Sequence, residues 1–244
     1  IPVIESLRDY SRLFMSADIT EAAAQGIMNL EANFRGALLT SEKIEQTLRQ
    51  WQHMEKQASP ELMKNFRFQM CLLRAYYDAY IQRRLIREKA LEVRAREILE
   101  DATAETSSLA VLQARMMLEK AAEEPVGQAW KEKCMVLADS LFSSIGAQLT
   151  VEKHGAMPGR GNFIDNIDIP LSDAPWLLDQ LAVLEKIEDD NERLERIKGM
   201  LRRTDPGPGG FYDHFGSAQS KYRIVADKTW QEDPGSLQSP RISF

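Results

Sequence analysis

The sequence predicts an all-α protein, an irregular array or bundle of about eight helices with one very long central helix and an irregular, aromatic-rich C-terminal tail. Three observations predict this class. Apolar residues recur at helical spacing along most of the first 203 residues, no stretch shows the strict alternation of a strand, and neither Gly nor Pro interrupts residues 61–124. The absence of a solenoid-length repeat favours an irregular arrangement over a repeat array.

The central helix is predicted from Ser59 to about Ala102. Ser59 is a good N-cap, and Pro60 suits the first helical turn. Apolar residues surround most of the helix between Met63 and Ile81, which predicts burial on several sides. From Leu85 onward the apolar stripe narrows and charges fill the rest, so this half is predicted to be more exposed. Its oppositely charged residues stand four apart: Arg84/Glu88 and Glu92/Arg96.

The other helices are delimited by capping and breaking residues. Gly36 stops the second helix, Ser41 caps the third, and Pro125 opens the helix that ends before Thr150. Pro175 lies in the first turn of a later helix that Ser172 or Asp173 caps. The predicted ranges are about 4–15, 21–35, 41–58, 107–123, 125–149, 172–187 and 191–201.

Two segments depart from helical periodicity. Residues 151–171 contain three glycines and two prolines among Asp and Asn residues, which indicates a long loop. Residues 204–244 lack periodicity but keep aromatic residues, which disordered tails generally lack. We therefore predict a helical domain over residues 1–203, containing the long loop 151–171. Residues 204–244 are predicted to link modules or to pack on the helices.

Composition excludes several classes of function. The 244 residues carry a net charge of −6 with no block of Lys or Arg, so no nucleic-acid surface is predicted. No apolar run is long enough for a membrane span. Cys71 and Cys134 stand in helical, apolar contexts without a CxxC partner and are interpreted as free thiols rather than a disulfide or metal pair. The three histidines form no ligand motif, so neither metal nor cofactor is predicted.

Polar residues cross the buried half of the central helix. Arg67, Arg74 and Asp78 fall near one stripe, beside Tyr76 and Tyr77. One interpretation is a set of internal ion pairs, since Arg74 and Asp78 are one turn apart. The other is a polar wall facing a ligand cleft, as sugars require. Both remain open at this stage.

The long loop holds the second polar cluster. His154 and Arg160 flank its glycines, and with Asn162, Asp165 and Asp168 they form its most polar group. Calcium binding by these aspartates is conceivable, but their spacing matches no EF-hand loop.

The tail holds a third group of candidates. Asp213 and His214 follow two aromatic residues, a combination that could contact a sugar or supply an acid/base pair, or form a local packing cluster. The preceding Pro-Gly-Pro-Gly-Gly run is interpreted as a turn-rich connector, because the Lys and Ser/Thr of a phosphate loop do not follow it.

Four stretches together resemble a known kind of protein: LRDYSRLFMSADITEAAAQGIMNLEANFRGALLT, TLRQWQHMEKQASPELMKNFRFQMCLLRAYYDAYIQRRLI, PGRGNFIDNIDIPL and RRTDPGPGGFYDHFG. They resemble the C-terminal helical region of large bacterial glycoside-hydrolase-like proteins, whose layout is similar to that of alpha-glucuronidases. The resemblance implies a (β/α)₈ barrel upstream, a β-rich module downstream, and a secreted or periplasmic location. A chain that begins at Ile1 rather than at a methionine fits such an excised piece. Catalytic carboxylates would lie in the barrel, so no residue of this chain is predicted to be catalytic.

The expected function is therefore a helical accessory domain of a carbohydrate-active protein. Its partner would be the catalytic barrel of the same polypeptide, with an oligosaccharide as a possible ligand. An alternative is a helical protein-interaction module without a carbohydrate role. A third option is a free-standing helical enzyme that uses His154 or the Asp213/His214 pair. A barrel-facing surface would involve the buried half of the central helix and the long loop, whereas a partner surface would involve Leu85–Leu99.

Overall fold

A computed structural model describes residues 2–33, 35–159, 162, 164–205 and 207–212. Every regular element in these ranges is helical, which confirms the predicted all-α class. The α-helices of this part are α1 (Val3–Phe14), α2 (Thr20–Ala32), α3 (Lys43–Gln57), α4 (Pro60–Lys64), α5 (Phe66–Glu100), α6 (Ser107–Glu123), α7 (Gln128–Ile145), α8 (Val151–His154), α9 (Ala174–Leu184) and α10 (Asp190–Leu201). Short 3-10 helices cover Ala17–Ile19, Leu38–Thr40 and Pro208–Tyr212. The described ranges hold ten α-helices rather than the predicted eight, because α4 and α8 are short segments without a long apolar stripe.

The long central helix is present but begins later than predicted. Ser59 caps α4 by accepting from the Leu62 amide at 3.1 Å, and Pro60 occupies the first turn, as expected. At Asn65 the backbone becomes extended, and the Asn65 carboxamide oxygen accepts from the amides of Arg67 and Phe68. The predicted unbroken helix from residue 59 is therefore wrong. Asn65 acts as the N-cap of α5, which runs 35 residues, or about 50 Å.

Two other predicted boundaries are also corrected. Helix α7 starts after Gly127 rather than at Pro125, because Gly127 has a φ of +70°, a conformation that glycine adopts without strain. A Cβ atom at Gly127 would lie 3.1 Å from the Tyr80 ring. Within the predicted loop 151–171, residues Val151–His154 form the single-turn α8.

The described residues group into two compact units, both of which include part of α5. The first includes Ile1–Gln82 and Gly127–Ile169. In its core, Trp51 packs against Phe68 with ring centroids 5.8 Å apart and donates to the Gly26 carbonyl. This close approach explains why residue 26 is a glycine, since a Cβ atom there would lie 2.9 Å from the indole ring.

The second unit includes Arg83–Val126 and Pro170–Phe211. Its core combines side chains of α5, α6, α9 and α10: Ala95, Leu99, Ala110, Val111, Ala114, Leu118, Leu177, Leu181, Leu184, Ile197 and Met200. Asp173 occupies the N-cap position of α9, with Pro175 in the first turn, as predicted. Asp189 caps α10 by accepting from the Glu192 amide at 2.7 Å.

The second half of α5 is more exposed than the first, as predicted: Ile86, Ala90, Val93, Arg94, Glu97 and Glu100 are exposed, whereas only Met70 is exposed between Phe66 and Gln82. The predicted pairs Arg84/Glu88 and Glu92/Arg96 do form, but both glutamates are buried. Glu88 accepts from the Leu171 amide, and Glu92 accepts from the Asp173 amide at 3.2 Å. The chain before α9 therefore covers the charged side of the helix, because these carboxylates satisfy its backbone donors.

The start of the tail packs within the second unit. The Gly209 amide donates to the Leu171 carbonyl, and a Cβ atom at Gly209 would lie only 2.0 Å from that oxygen. This close backbone contact holds Gly209 against the segment that precedes α9. Residues 213–244 lie outside the described residues. No helix of the described part is both long and apolar enough to cross a membrane.

Candidate functional site

The Arg74/Asp78 candidate site is an ion pair in the first unit, in which Asp78 is buried and Arg74 is partly exposed. Arg74 Nε donates to Asp78 Oδ1 at 2.5 Å, and Asn33 Nδ2 donates to Asp78 Oδ2 at 3.0 Å. Asn33 in turn accepts from the Thr47 hydroxyl. Burial raises the pKa of Asp78 above its ordinary value, although Arg74 and Asn33 oppose the shift. The internal pair that formed one of the two interpretations is present, and it ties α5 to α2 and α3.

The two cysteines lie beside this polar group and are free thiols, as predicted. Cys134 is fully buried on α7, and Cys71 is half-buried on α5. Burial raises the pKa of each thiol to about 12, because the thiolate loses its hydration. Neither cysteine is therefore suited to act as a nucleophile.

Both thiols are expected to react slowly in the folded protein. At pH 8 a thiol with a pKa near 12 is ionised to about one part in 10⁴, so modification by a disulfide reagent should be at least ~100-fold slower than for an unfolded chain. The measurement is the time course of thiol release with and without guanidinium. Rapid reaction of one equivalent in the folded protein would contradict a raised pKa at both thiols.

The tyrosines proposed to face a ligand have different surroundings. Tyr76 is buried, and its hydroxyl donates to Glu55 Oε2 at 2.6 Å. Desolvation, followed by the bond to Glu55, raises the pKa of Tyr76. Lys133 of α7 pairs with the other Glu55 oxygen at 2.6 Å, so the three side chains join α3, α5 and α7. Tyr77 is half-buried.

A further tyrosine contact was not predicted. The Tyr80 hydroxyl donates to Asp168 Oδ1 at 2.7 Å, and Lys131 pairs with the other oxygen of Asp168. Asp168 was predicted to belong to the polar cluster of the loop, but Tyr80 was interpreted only as part of the apolar face. The one available signal was a hydroxyl on a helix predicted to be buried, since a buried Tyr generally bonds through its OH group.

His154 forms a linear set of hydrogen bonds with a hydroxyl and a carboxylate. Its Nδ1 lies 3.0 Å from Thr150 Oγ1, and its Nε2 lies 3.0 Å from Asp139 Oδ1. Because a carboxylate only accepts, Nε2 carries the proton and Nδ1 accepts from the Thr150 hydroxyl when the ring is neutral. The Phe142 ring packs against the imidazole, with centroids 4.9 Å apart.

The hydrogen bonds connect a hydroxyl, an imidazole and a carboxylate as in a hydrolytic triad. The burial of the hydroxyl and of the carboxylate, however, is the reverse of what a triad requires. In such a triad the hydroxyl must reach the substrate while the carboxylate is enclosed. Here Thr150 and His154 are buried, and the Asp139 side chain is half-exposed. The arrangement therefore fixes the loop to α7, and it does not present a nucleophile.

Asn162 and Asp165 of the loop bond to backbone atoms of the loop rather than to the His154 ring. The Asn162 amide donates to the Met157 carbonyl, and Asp165 accepts from the Val151 amide at 2.9 Å. Both side chains organise the loop itself. Arg160 and Asp213 lie outside the described residues. Among the residues that the structure describes, no group of three or more His, Cys, Asp or Glu side chains could hold a metal ion.

Among the candidates that the structure describes, Arg67 lies at an exposed apolar surface. Its guanidinium carbon lies 4.8 Å from the centroid of Phe14 and 4.3 Å from that of Phe66. Asn65 Nδ2 donates to the Phe14 carbonyl at 2.7 Å, which joins the end of α1 to the start of α5. Leu13, Phe14 and Met70 are 71%, 46% and 52% exposed. We call this surface the aromatic–arginine patch: Tyr10, Leu13, Phe14, Phe66, Arg67 and Met70.

Comparison with known proteins identified no relative. No family model matches the chain, and neither a curated protein nor a solved structure matches it.

Proposed function

We propose that this chain is a helical accessory domain that docks on a folded protein domain through the aromatic–arginine patch. The observation that carries the proposal is the position of Arg67 between the rings of Phe14 and Phe66 at a surface where large apolar side chains remain exposed. Aromatic residues, Met and Arg are the types enriched at the centre of protein interfaces.

The geometry of the patch suits a preorganised interface. The Tyr10 and Phe14 rings lie 5.3 Å apart, so the aromatic groups already support one another before a partner binds. Arg67 is also held in place by two cation–π contacts, which lowers the side-chain entropy lost on binding. A partner that covers this surface would remove exposed apolar area from water at little ordering cost.

The other candidate residues support a structural role rather than chemistry in this chain. Among the residues that the structure describes, three candidate acids or bases are buried and hydrogen-bonded to neighbours: Asp78 to Arg74, Tyr76 to Glu55, and His154 to Thr150 and Asp139. The resemblance described above supplies the identity of the docked domain, a catalytic barrel of the same polypeptide. On this proposal, turnover of a glycan requires that barrel.

The first test uses the complete coding sequence and the full-length protein that it encodes. We expect it to encode a barrel upstream of Ile1, and the full-length protein to hydrolyse a member of a panel of uronic-acid-containing and neutral oligosaccharides. The isolated 244 residues should show no turnover. Robust hydrolysis by the isolated chain, or a coding sequence without an upstream domain, would contradict the proposal.

The patch itself is tested by side-chain footprinting with hydroxyl radicals. In the full-length protein, modification of Phe14 and Met70 should fall at least about fivefold below that in the isolated chain, because a docked domain covers them. The exposed Val183 serves as a reference. The double substitution Phe14→Ser with Arg67→Ala should restore modification of Met70. Substitution of Arg12, which is exposed on α1 and pairs with Asp9, should not. Equal modification of Met70 in both proteins would rule out docking at this patch.

The alternative function uses a different surface. Ile86 and Val93 are exposed on α5 and, being seven residues apart, share one side of the helix. They lie within the segment predicted to bind a partner. This alternative predicts protection of Ile86 and Val93, and not of Met70, in the same footprinting experiment.

A further inference from the structure

Helix α6 carries apolar side chains on two opposite faces. Ala110, Val111, Ala114 and Leu118 are buried in the core of the second unit. Leu109, Leu112 and Met116 point away from it and are each between 50% and 56% exposed. Their i, i+3, i+7 spacing is that of a helix–helix seam, so the exposed row is suited to pack against another helix.

The charges at the two ends of this row are opposite. Glu105 precedes the row and is exposed, and Lys120 follows it one turn after Met116. Glu105 and Lys120 stand equally far from the midpoint between Leu112 and Gln113, as do Leu109 and Met116. A two-fold antiparallel packing about that midpoint would therefore bring Leu109 against Met116 of the second copy, and Glu105 against its Lys120. The row is therefore complementary to the same row of a second copy only when the two helices are antiparallel.

We propose that α6 mediates association of two copies of this chain, with the two α6 helices antiparallel across a two-fold axis. Isologous pairing of this kind is the commonest form of homo-oligomer, because one self-complementary surface serves both subunits. The apolar row supplies burial, and the two Glu105–Lys120 pairs supply direction. The surface lies in the second unit and shares no residue with the aromatic–arginine patch.

The charged ends are available for this contact. The Glu105 carboxylate accepts from the Thr103 hydroxyl at 2.7 Å, which leaves other lone pairs open to a lysine. At the other border of the row, Arg115 pairs with Glu185 of the same chain at 2.6 Å. A peptide with basic and apolar residues could also meet the row, but it would not depend on Lys120. Substitution of Lys120 therefore distinguishes binding of a second copy of this chain from binding of such a peptide.

Three apolar side chains per copy form a small interface, so the dimer should be weak. We expect sedimentation equilibrium to show mostly dimer at about 200 μM and mostly monomer at about 2 μM. Leu112→Glu should raise the dissociation constant at least about tenfold, because it places a charge at the two-fold axis. Val183→Glu, a matched change at an exposed apolar residue of α9, should leave it unchanged.

A charge swap provides the decisive test. Glu105→Lys and Lys120→Glu alone should each raise the dissociation constant about three- to tenfold, since each puts like charges opposite one another. The double variant should return within about twofold of the wild type. A wild-type chain that stays monomeric at 200 μM, or a double variant no better than either single one, would overturn the proposal. Circular-dichroism melts of each variant confirm that the fold is retained.

Discussion

Replacing Glu92 by alanine is expected to lower the free energy of unfolding by about 3–5 kcal/mol. Its carboxylate accepts from Arg96 Nε at 3.1 Å, Lys89 Nζ at 3.0 Å and the Asp173 amide at 3.2 Å. Its side chain is only 7% exposed, so water cannot replace these bonds. Truncation removes an acceptor that two cations and a backbone donor share in a poorly hydrated place.

The same helix offers a matched control for this prediction. Glu97 pairs with Arg94 at 2.9 Å, but its side chain is 49% exposed. Glu97→Ala should cost no more than about 0.5 kcal/mol, because a solvated pair contributes little. Chemical denaturation of the two variants measures the difference directly. Equal losses at the two positions would show that burial of Glu92 is not what makes it important.

Replacing Asp78 by alanine should cost about 3 kcal/mol, because Asn33 and Arg74 both lose this acceptor. Arg74 is partly exposed and can recover some hydration, so the loss should be smaller than that at Glu92. Asp9→Ala, which breaks an exposed pair with Arg12, provides the control and should cost less than about 0.5 kcal/mol.

The Asp78→Asn variant tests the raised pKa. A carboxyl group whose pKa is higher in the folded state binds more protons when folded than when unfolded. Its contribution to stability is therefore greatest below the ordinary unfolded pKa of about 3.9, falls as the pH rises through the folded pKa, and is constant above it. Asparagine does not titrate, so the stability of Asp78→Asn relative to the wild type should increase across that window. A difference that is flat with pH would contradict the shift.

Much of the helical framework follows from short-range signals. Ser59 with Pro60 marks a helix start, because a cap needs only neighbouring residues to satisfy backbone donors. The Arg74/Asp78 pair is likewise set by the helical turn. Asn65 was missed because its neighbours are good helix formers. Its carboxamide nitrogen also donates to the Phe14 carbonyl, 51 residues away, and this distant bond helps to hold Asn65 outside the helix.

The sequence identified the polar candidate residues, but it did not indicate whether each side chain lies at the surface or in the interior. Arg67 and Asp78 stand near one stripe of the same helix, yet Arg67 lies between aromatic rings at the surface, whereas Asp78 is enclosed. The difference arises from what packs on each turn: the end of α1 at Arg67, and Asn33 at Asp78. Neither contact leaves a local pattern, because the partners are more than forty residues apart.

Local sequence patterns were sufficient to predict the all-α class, a long central helix, its charge pairs and the free thiols, since periodicity, caps and Cys spacing act within a few residues. Tertiary structure alone decided that Glu88 and Glu92 are buried beneath the segment before α9. It also decided that His154 bonds Asp139 and that Arg67 meets Phe14. A charge is buried or exposed according to whether a distant backbone donor or side chain reaches it, and that depends on how the folded chain is routed.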